Sequence, residues 1–135
     1  MTAHLDRKQQ VLAFFDAWRQ GDPNGVTDWF TEDAVYENIP MSRVQGREEI
    51  RRIVTTWMEG LKDIDFTFRH IVVDGDVALM ERHDVLPRPG GLMSLPIMAT
   101  IEFDGAQIAA WREYFDLAQM NELLQNTRGD TNDGG

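Results

Sequence analysis

Apolar residues recur at intervals of three and four through the first half of the chain and at intervals of two through the second half. From Leu5 to Arg19 the positions Val11, Leu12, Phe14, Phe15 and Trp18 fall on helical spacing, and Gly21 ends the run. Asp22 and Pro23 form an N-cap and first-turn pair that predicts a short helix carrying Val26, Trp29 and Phe30. Ala34 to Ile39 reads as a strand stopped by Pro40. After Gly46, the segment REEIRRIVTTWMEGL places Ile50, Ile53, Val54, Trp57, Met58 and Leu61 on one helical stripe, with Glu48 and Glu49 in the first turn. Beyond Leu61 the stretches Ile64 to Val73, Val77 to Leu86, Leu92 to Phe103 and Gln107 to Phe115 are rich in strand formers. Asp74-Gly75 and Asp104-Gly105 are hairpin signals, LPRPGG from Leu86 to Gly91 reads as a longer loop, and Leu117 to Leu124 as a last helix.

Helices followed by an antiparallel meander predict an α+β fold, cone-shaped, with N-terminal helices packed on a strongly curved mixed, mostly antiparallel sheet that encloses a pocket. One domain over residues 1–126 is expected, followed by a polar, glycine-rich tail over 127–135 that is expected to be disordered.

Three of the strands carry polar residues on faces that are otherwise apolar. Tyr36 and Asn38 share a face of the first strand. In the strand VALMERHDVL, Arg82 and Asp84 fall with Ala78, Met80 and Leu86, although the opposite face, with Val77, Leu79 and Val85, is as apolar at its ends. In WREYFDL, Glu113 falls with Trp111, Phe115 and Leu117. A carboxylate on an apolar face is costly unless it is paired or titrates abnormally. For any one of these residues alone a solvated ladder position is the commoner explanation. Convergence of the three faces would instead put an arginine, two carboxylates, a phenol and an amide in one apolar pocket. His70 and His83 lack metal-ligand spacing and are taken as structural, and the aromatic residues of the helices as core.

Composition narrows the function classes. A net charge of -10 disfavours nucleic acid or an anionic membrane surface as partner. The chain has no cysteine, which excludes disulfides, thiolate metal sites and a cysteine nucleophile, and fits a cytoplasmic protein. MTAHLDRKQQ lacks the apolar core of a signal peptide, and no apolar run approaches the roughly 18 residues of a membrane span.

DWFTEDAVYENIP, ERHDVL and WREYFDL, in that order and at these separations, resemble the limonene-1,2-epoxide hydrolase family within the cone-shaped fold shared with nuclear transport factor 2 and ketosteroid isomerase. The likeness runs from about Val11 to Leu117. It implies a central triad of Arg82, Asp84 and Glu113, with Tyr36 and Asn38 holding the attacking water. In the family scheme the acid on the last strand takes a proton from water while the acid on the Arg-x-Asp strand protonates the epoxide oxygen. Water attacks carbon in one step, with no covalent intermediate. The resemblance further implies no metal or cofactor, a small hydrophobic epoxide as substrate, a vicinal diol as product, and a homodimer. By face and by resemblance, Leu86, Ile97, Ala99, Phe115 and Met120 are candidates for the substrate wall. One departure stands out: the family usually has aspartate where this chain has Glu113, a side chain longer by one methylene.

The chemistry accounts for these residue types. Opening an epoxide at neutral pH needs a proton on the leaving oxygen and an activated water, so an acid and a base must coexist. A free aspartic acid, with pKa about 3.9, is protonated in roughly one molecule per thousand at pH 7. Two carboxyl groups can divide the tasks only where desolvation and mutual repulsion separate their titrations. The same pocket would also serve a cyclase in which a substrate hydroxyl opens the epoxide, an isomerase like ketosteroid isomerase, or a non-catalytic binding module. An arginine between two acids speaks against the isomerase.

Overall fold

In the structure, a computed structural model, the described residues are 6–129. Asp6 caps helix α1 (Arg7–Gln20): its carboxylate accepts from the Gln9 amide at 2.8 Å while its own N–H donates to Gln9 Oε1. Gly21 closes the helix in the left-handed conformation, φ 77°, which a residue with a Cβ adopts only with strain. Asp22 caps the short helix α2 (Pro23–Thr27) as expected. Trp29 and Phe30, however, lie outside this helix, which ends at Thr27: Trp29 falls in the turn that follows, and Phe30 opens β1 (Phe30–Ile39), which starts earlier than the sequence pattern suggests and shifts register between Phe30 and Val35. The strand ends at a cis Ile39-Pro40 bond. A tight turn then leads into β2 (Ser42–Gln45), which the pattern did not predict. Helix α3 (Arg47–Gly60) follows, and buries Ile50 and Val54 against the core.

The long strands β3 (Asp65–Asp74), β4 (Val77–Arg88), β5 (Gly91–Asp104) and β6 (Gln107–Tyr114) form the expected meander. LPRPGG is not a long loop: β4 and β5 stay paired to Arg88 and Gly91, so only Pro89 and Gly90 join them. Gly91 supplies the reversal with φ 129°. Helix α4 (Leu117–Gly129) extends past the expected Leu124 and into the segment expected to be a disordered tail, whose residues 130–135 lie outside the described residues. Among the described residues no helix is long and apolar enough to cross a membrane.

The sheet order is β2-β1-β6-β5-β4-β3, antiparallel throughout except for β1 and β6, which run parallel. The sheet is therefore mixed and mostly antiparallel, curled around the helices without closing. Its concave face carries Ala78, Met80, Leu86, Leu95, Ile97, Ile101 and Trp111, all buried, against Val11, Phe14, Phe15 and Trp18 of α1. Trp111 is the centre of this core: Phe14 meets it edge-on at 4.9 Å and Tyr36 stacks on it at 4.3 Å with the rings only 7° from parallel.

Candidate active site

The pleat of β4 settles the orientation that alternation alone leaves open. Ala78, Met80, Arg82, Asp84 and Leu86 are buried, whereas Leu79 is exposed and Glu81, His83 and Val85 are half-buried on the outer face. On that outer face the His83 ring meets the Ser94 hydroxyl at 2.9 Å. On β6, Trp111 and Glu113 point inward and Tyr114 outward. Parallel pairing of β1 with β6 sets Tyr36 beside Trp111 and Asn38 beside Glu113. All five candidate catalytic residues thus converge on the concave face.

Arg82 and Glu113 stand on strands that are not neighbours, so their side chains must meet over β5. The span is about 9–10 Å at ordinary strand spacing. Ala99 sits directly opposite both Met80 and Glu113, and presents only a methyl group there. Arg82 itself stands opposite Ile97, so its reach to Glu113 runs diagonally across β5, and its guanidinium makes four hydrogen bonds. Nε and Nη2 donate to Asp84 Oδ1 and Oδ2 at 2.6 and 3.0 Å, and Nη1 and Nη2 donate to Glu113 Oε2 and Oε1 at 2.6 and 3.0 Å. Both carboxylates are engaged bidentately, the geometry in which arginine binds most strongly. Phe15 of α1 lies 4.5 Å from the guanidinium carbon and Phe66 of β3 lies 5.5 Å from it, so the cation is also held against two aromatic faces. Arg82 is 1% exposed, Asp84 8% and Glu113 5%, which makes this a desolvated cluster rather than a surface bridge.

Electrostatics follow from that burial. Burial pushes the Glu113 carboxyl above the ordinary glutamate range, with the Arg82 charge pulling the other way. For Arg82, burial opposes the charge but the neighbouring Asp84 and Glu113 outweigh it, so the guanidinium is held charged even more firmly than usual. Burial, and next the Glu113 charge, push the Tyr36 phenol well up, leaving it a neutral donor. The phenol donates to Asn38 Oδ1 at 3.3 Å. Asn38 is 3% exposed, and among the described residues its Nδ2 has no hydrogen-bond partner. A buried amide left in this state loses about 1–3 kcal/mol unless something polar arrives to accept from it.

The cavity beside these groups has a volume of about 40 Å³. A single water needs roughly 10–15 Å³ of such space, so there is room for a small number of waters beside the carboxylates. Of the five wall candidates, Ile97 and Met120 line it. Leu86 and Ala99 are buried but lie off the lining: Leu86 sits one step beyond Asp84 along β4, and Ala99 is too short to project past its neighbours. Phe115 follows the end of β6 and is half-buried against the core, also off the lining. The rest of the wall comes from residues assigned to the core alone or passed over: Phe15 and Trp18 of α1, Trp57 of α3, Leu61 and Ile64 after it, Phe66 and Trp111. Trp18 and Trp57 sit on the inward stripes of helices that face the polar strand pairs. An indole on such a stripe brings a polar N–H as well as bulk, and that was the available signal.

Comparison with known proteins bears on the family and the fold. A family model for the SnoaL-like domain matches residues 11–111. Epoxide hydrolase EphG of Mycobacterium tuberculosis is 30% identical over 110 residues, which cover 82% of this chain and 73% of that protein. The solved structure of an M. tuberculosis LEH-like epoxide hydrolase superposes with a TM-score of 0.72 at 27% identity, covering 91% of this chain and 92% of that one. The epoxide hydrolase/cyclase-like enzyme SalBIII, which has a role in pyran ring formation in the polyether salinomycin, superposes with a TM-score of 0.73 over 84% of this chain and 92% of that one. At 16% identity it is a match of fold alone.

Proposed function

The chain belongs to the SnoaL-like domain family, with epoxide hydrolases among its relatives, and on that premise we propose that it is a cofactor-independent epoxide hydrolase converting a lipophilic epoxide to a vicinal diol. The observation that carries this reading is the doubly bidentate Arg82 between two buried carboxyl groups, beside an amide that still has a hydrogen bond to give.

In this mechanism a water bound at Asn38 Nδ2 and the Tyr36 hydroxyl loses a proton to Glu113 as its oxygen attacks an epoxide carbon. The carbon–oxygen bond of the ring breaks, and the departing oxygen takes a proton from Asp84. The electron pair of the broken bond becomes that of the new O–H bond, so no charge accumulates on substrate. Glu113 ends with one proton more and Asp84 with one fewer, and proton exchange across the pair resets the site. Arg82 holds the two carboxyl groups in fixed relation and spreads the charge that moves between them. Burial keeps Tyr36 neutral; its one proton goes to Asn38 Oδ1, which orients the amide so that Nδ2 can donate to the water, while the phenol oxygen is left to accept from it. Two acids joined by an arginine suit proton relay onto an epoxide, whereas an isomerase like ketosteroid isomerase has no use for the arginine.

The test is diol formation from a panel of epoxides by the wild-type protein and by Glu113→Gln. The wild type should give diol, and Glu113→Gln should lose nearly all of it while keeping its fold. Full hydrolysis by Glu113→Gln would remove Glu113 as base. In a single turnover in oxygen-labelled water, all label should enter the diol. Label in an Asp or Glu side chain would replace the one-step scheme with a covalent one.

A further inference from the structure

Beyond the cavity around Arg82 lies a second hollow that the reaction does not use. It is an apolar groove of about 450 Å³ bounded by Met41 and Ser42 after β1, by Ile53, Thr56, Trp57 and Gly60 of α3, and by Leu124 of α4. Trp57 lines the groove on one side and the carboxylate cavity on the other. Helix α4 repeats the relation: Met120 lines the cavity, and Leu124, one turn on, lines the groove.

Size decides what this means. Sites for small molecules enclose about 300–1,000 Å³, so the 40 Å³ beside Arg82 can hold water and a reacting ring but not a lipophilic substrate. The groove supplies the missing volume, and Trp57 is the residue that lines both spaces among the described residues. Trp57 is half-buried against the core. Among the described residues its buried indole N–H has no hydrogen-bond partner, as is also the case for Trp18 and Trp111, so no hydrogen bond to them has to break for the ring to turn.

We propose that the groove between α3 and α4 is the tail subsite of the enzyme, that the substrate is an epoxide bearing a long apolar tail, and that Trp57 swings aside to join the two spaces when it binds. This rests on the epoxide hydrolase reading above. The reacting end enters among Asn38, Glu113 and Asp84, and the tail lies along Ile53, Gly60 and Leu124. Gly60 is a convenient place to plug the groove, because a Cβ built there meets nothing within 4 Å among the described residues, and a non-glycine residue suits the end of a helix.

The experiment compares propylene oxide with dodecene oxide as substrates for the wild type, Gly60→Leu and Trp57→Ala, reading the ratio of kcat/KM for the two. In parallel, calorimetry measures binding of dodecanediol and propanediol. Wild type should favour dodecene oxide and bind dodecanediol the more tightly. Gly60→Leu should lower the kcat/KM ratio at least tenfold, mainly through KM, and weaken dodecanediol binding in step. Trp57→Ala should raise the ratio. An unchanged ratio and unchanged dodecanediol binding in both variants would overturn the subsite. If neither epoxide is hydrolysed but dodecanediol binding still responds to Gly60→Leu, the subsite stands and the hydrolase reading falls.

Discussion

Replacing Arg82 by methionine tests whether the cluster at the base of the cavity is held together as the geometry implies. Methionine keeps an unbranched apolar stem against Phe15 and Phe66, and removes the guanidinium with its four hydrogen bonds to Asp84 and Glu113. Two nearly buried carboxyl groups then face each other without a cation. Breaking a buried pair by deleting one partner costs about 3–5 kcal/mol, and here one deletion affects two partners. For a domain of this size that corresponds to a fall in Tm on the order of 10–20 °C. The sign of the pH dependence is fixed by Glu113. Its carboxyl is already above the ordinary value of 4.5 through burial, and losing the Arg82 charge, which pulls it down, raises it further. A raised carboxyl contributes stability that is fully present below the unfolded-state pKa and is lost as pH rises through the folded-state value. The deficit of Arg82→Met relative to wild type should therefore be small near pH 4.5 and grow to its full size by pH 8. Urea melts at a series of pH values measure it directly. A deficit below about 1 kcal/mol at pH 8, or one that grows on acidification, would show that Arg82 does not hold the pair.

Three further expectations concern catalysis and reach. Glu113→Asp draws the carboxylate back by one methylene, on the order of 1 Å, and should lower kcat by about tenfold to a hundredfold with the fold intact; unchanged kcat in steady-state assays would mean that the water position does not depend on this reach. Because the base must be ionised and burial holds Glu113 above 4.5, the acid limb of the pH profile of kcat/KM should lie above pH 4.5, and a limb at or below that value would rule Glu113 out as the group that titrates. Ala99→Leu adds bulk directly beside Glu113 on the neighbouring strand, so it should displace that carboxylate, abolish diol formation and destabilise the fold by about 1–3 kcal/mol; activity within twofold of wild type would show that the Glu113 position tolerates the added bulk.

Much of this site was legible because β4 and β6 place their chemistry at strand spacing. Arg82 and Asp84, or Trp111 and Glu113, share a face by covalent geometry alone. Which face of β4 turns inward was not legible, since Val77, Leu79 and Val85 match the apolar content of the inner face, and the choice is made by Phe15 and Trp18 arriving from a helix far earlier in the chain. The same is true of the meeting of Asn38 with Glu113, which depends on a parallel pairing between the first long strand and the last. β2 escaped because SRVQ is too short and too polar to announce itself, and is held by backbone pairing with β1. The wall of the cavity was the least visible part. Leu86 and Ala99 have the right parity on their strands, but parity says nothing of depth, and the wall is completed by helix residues instead.

The charges of the cluster explain why an apolar enclosure belongs to this chemistry. One guanidinium and two carboxylates sum to a single negative charge, and a desolvated site favours neutrality. Addition of one proton makes the cluster neutral, and that state contains one carboxylic acid and one carboxylate. The same state is what hydrolysis of an epoxide needs before the first bond moves. Which carboxyl holds the proton is a property of the coupled pair rather than of either residue, and Arg82, bonded bidentately to both, keeps the pair coupled. A second proton would abolish the base and loss of the first would abolish the acid, so opening the cavity to water should narrow the active pH range from both sides. The aromatic wall of Phe15, Phe66 and Trp111 is on this account as necessary to the proposed reaction as the three charged groups it surrounds.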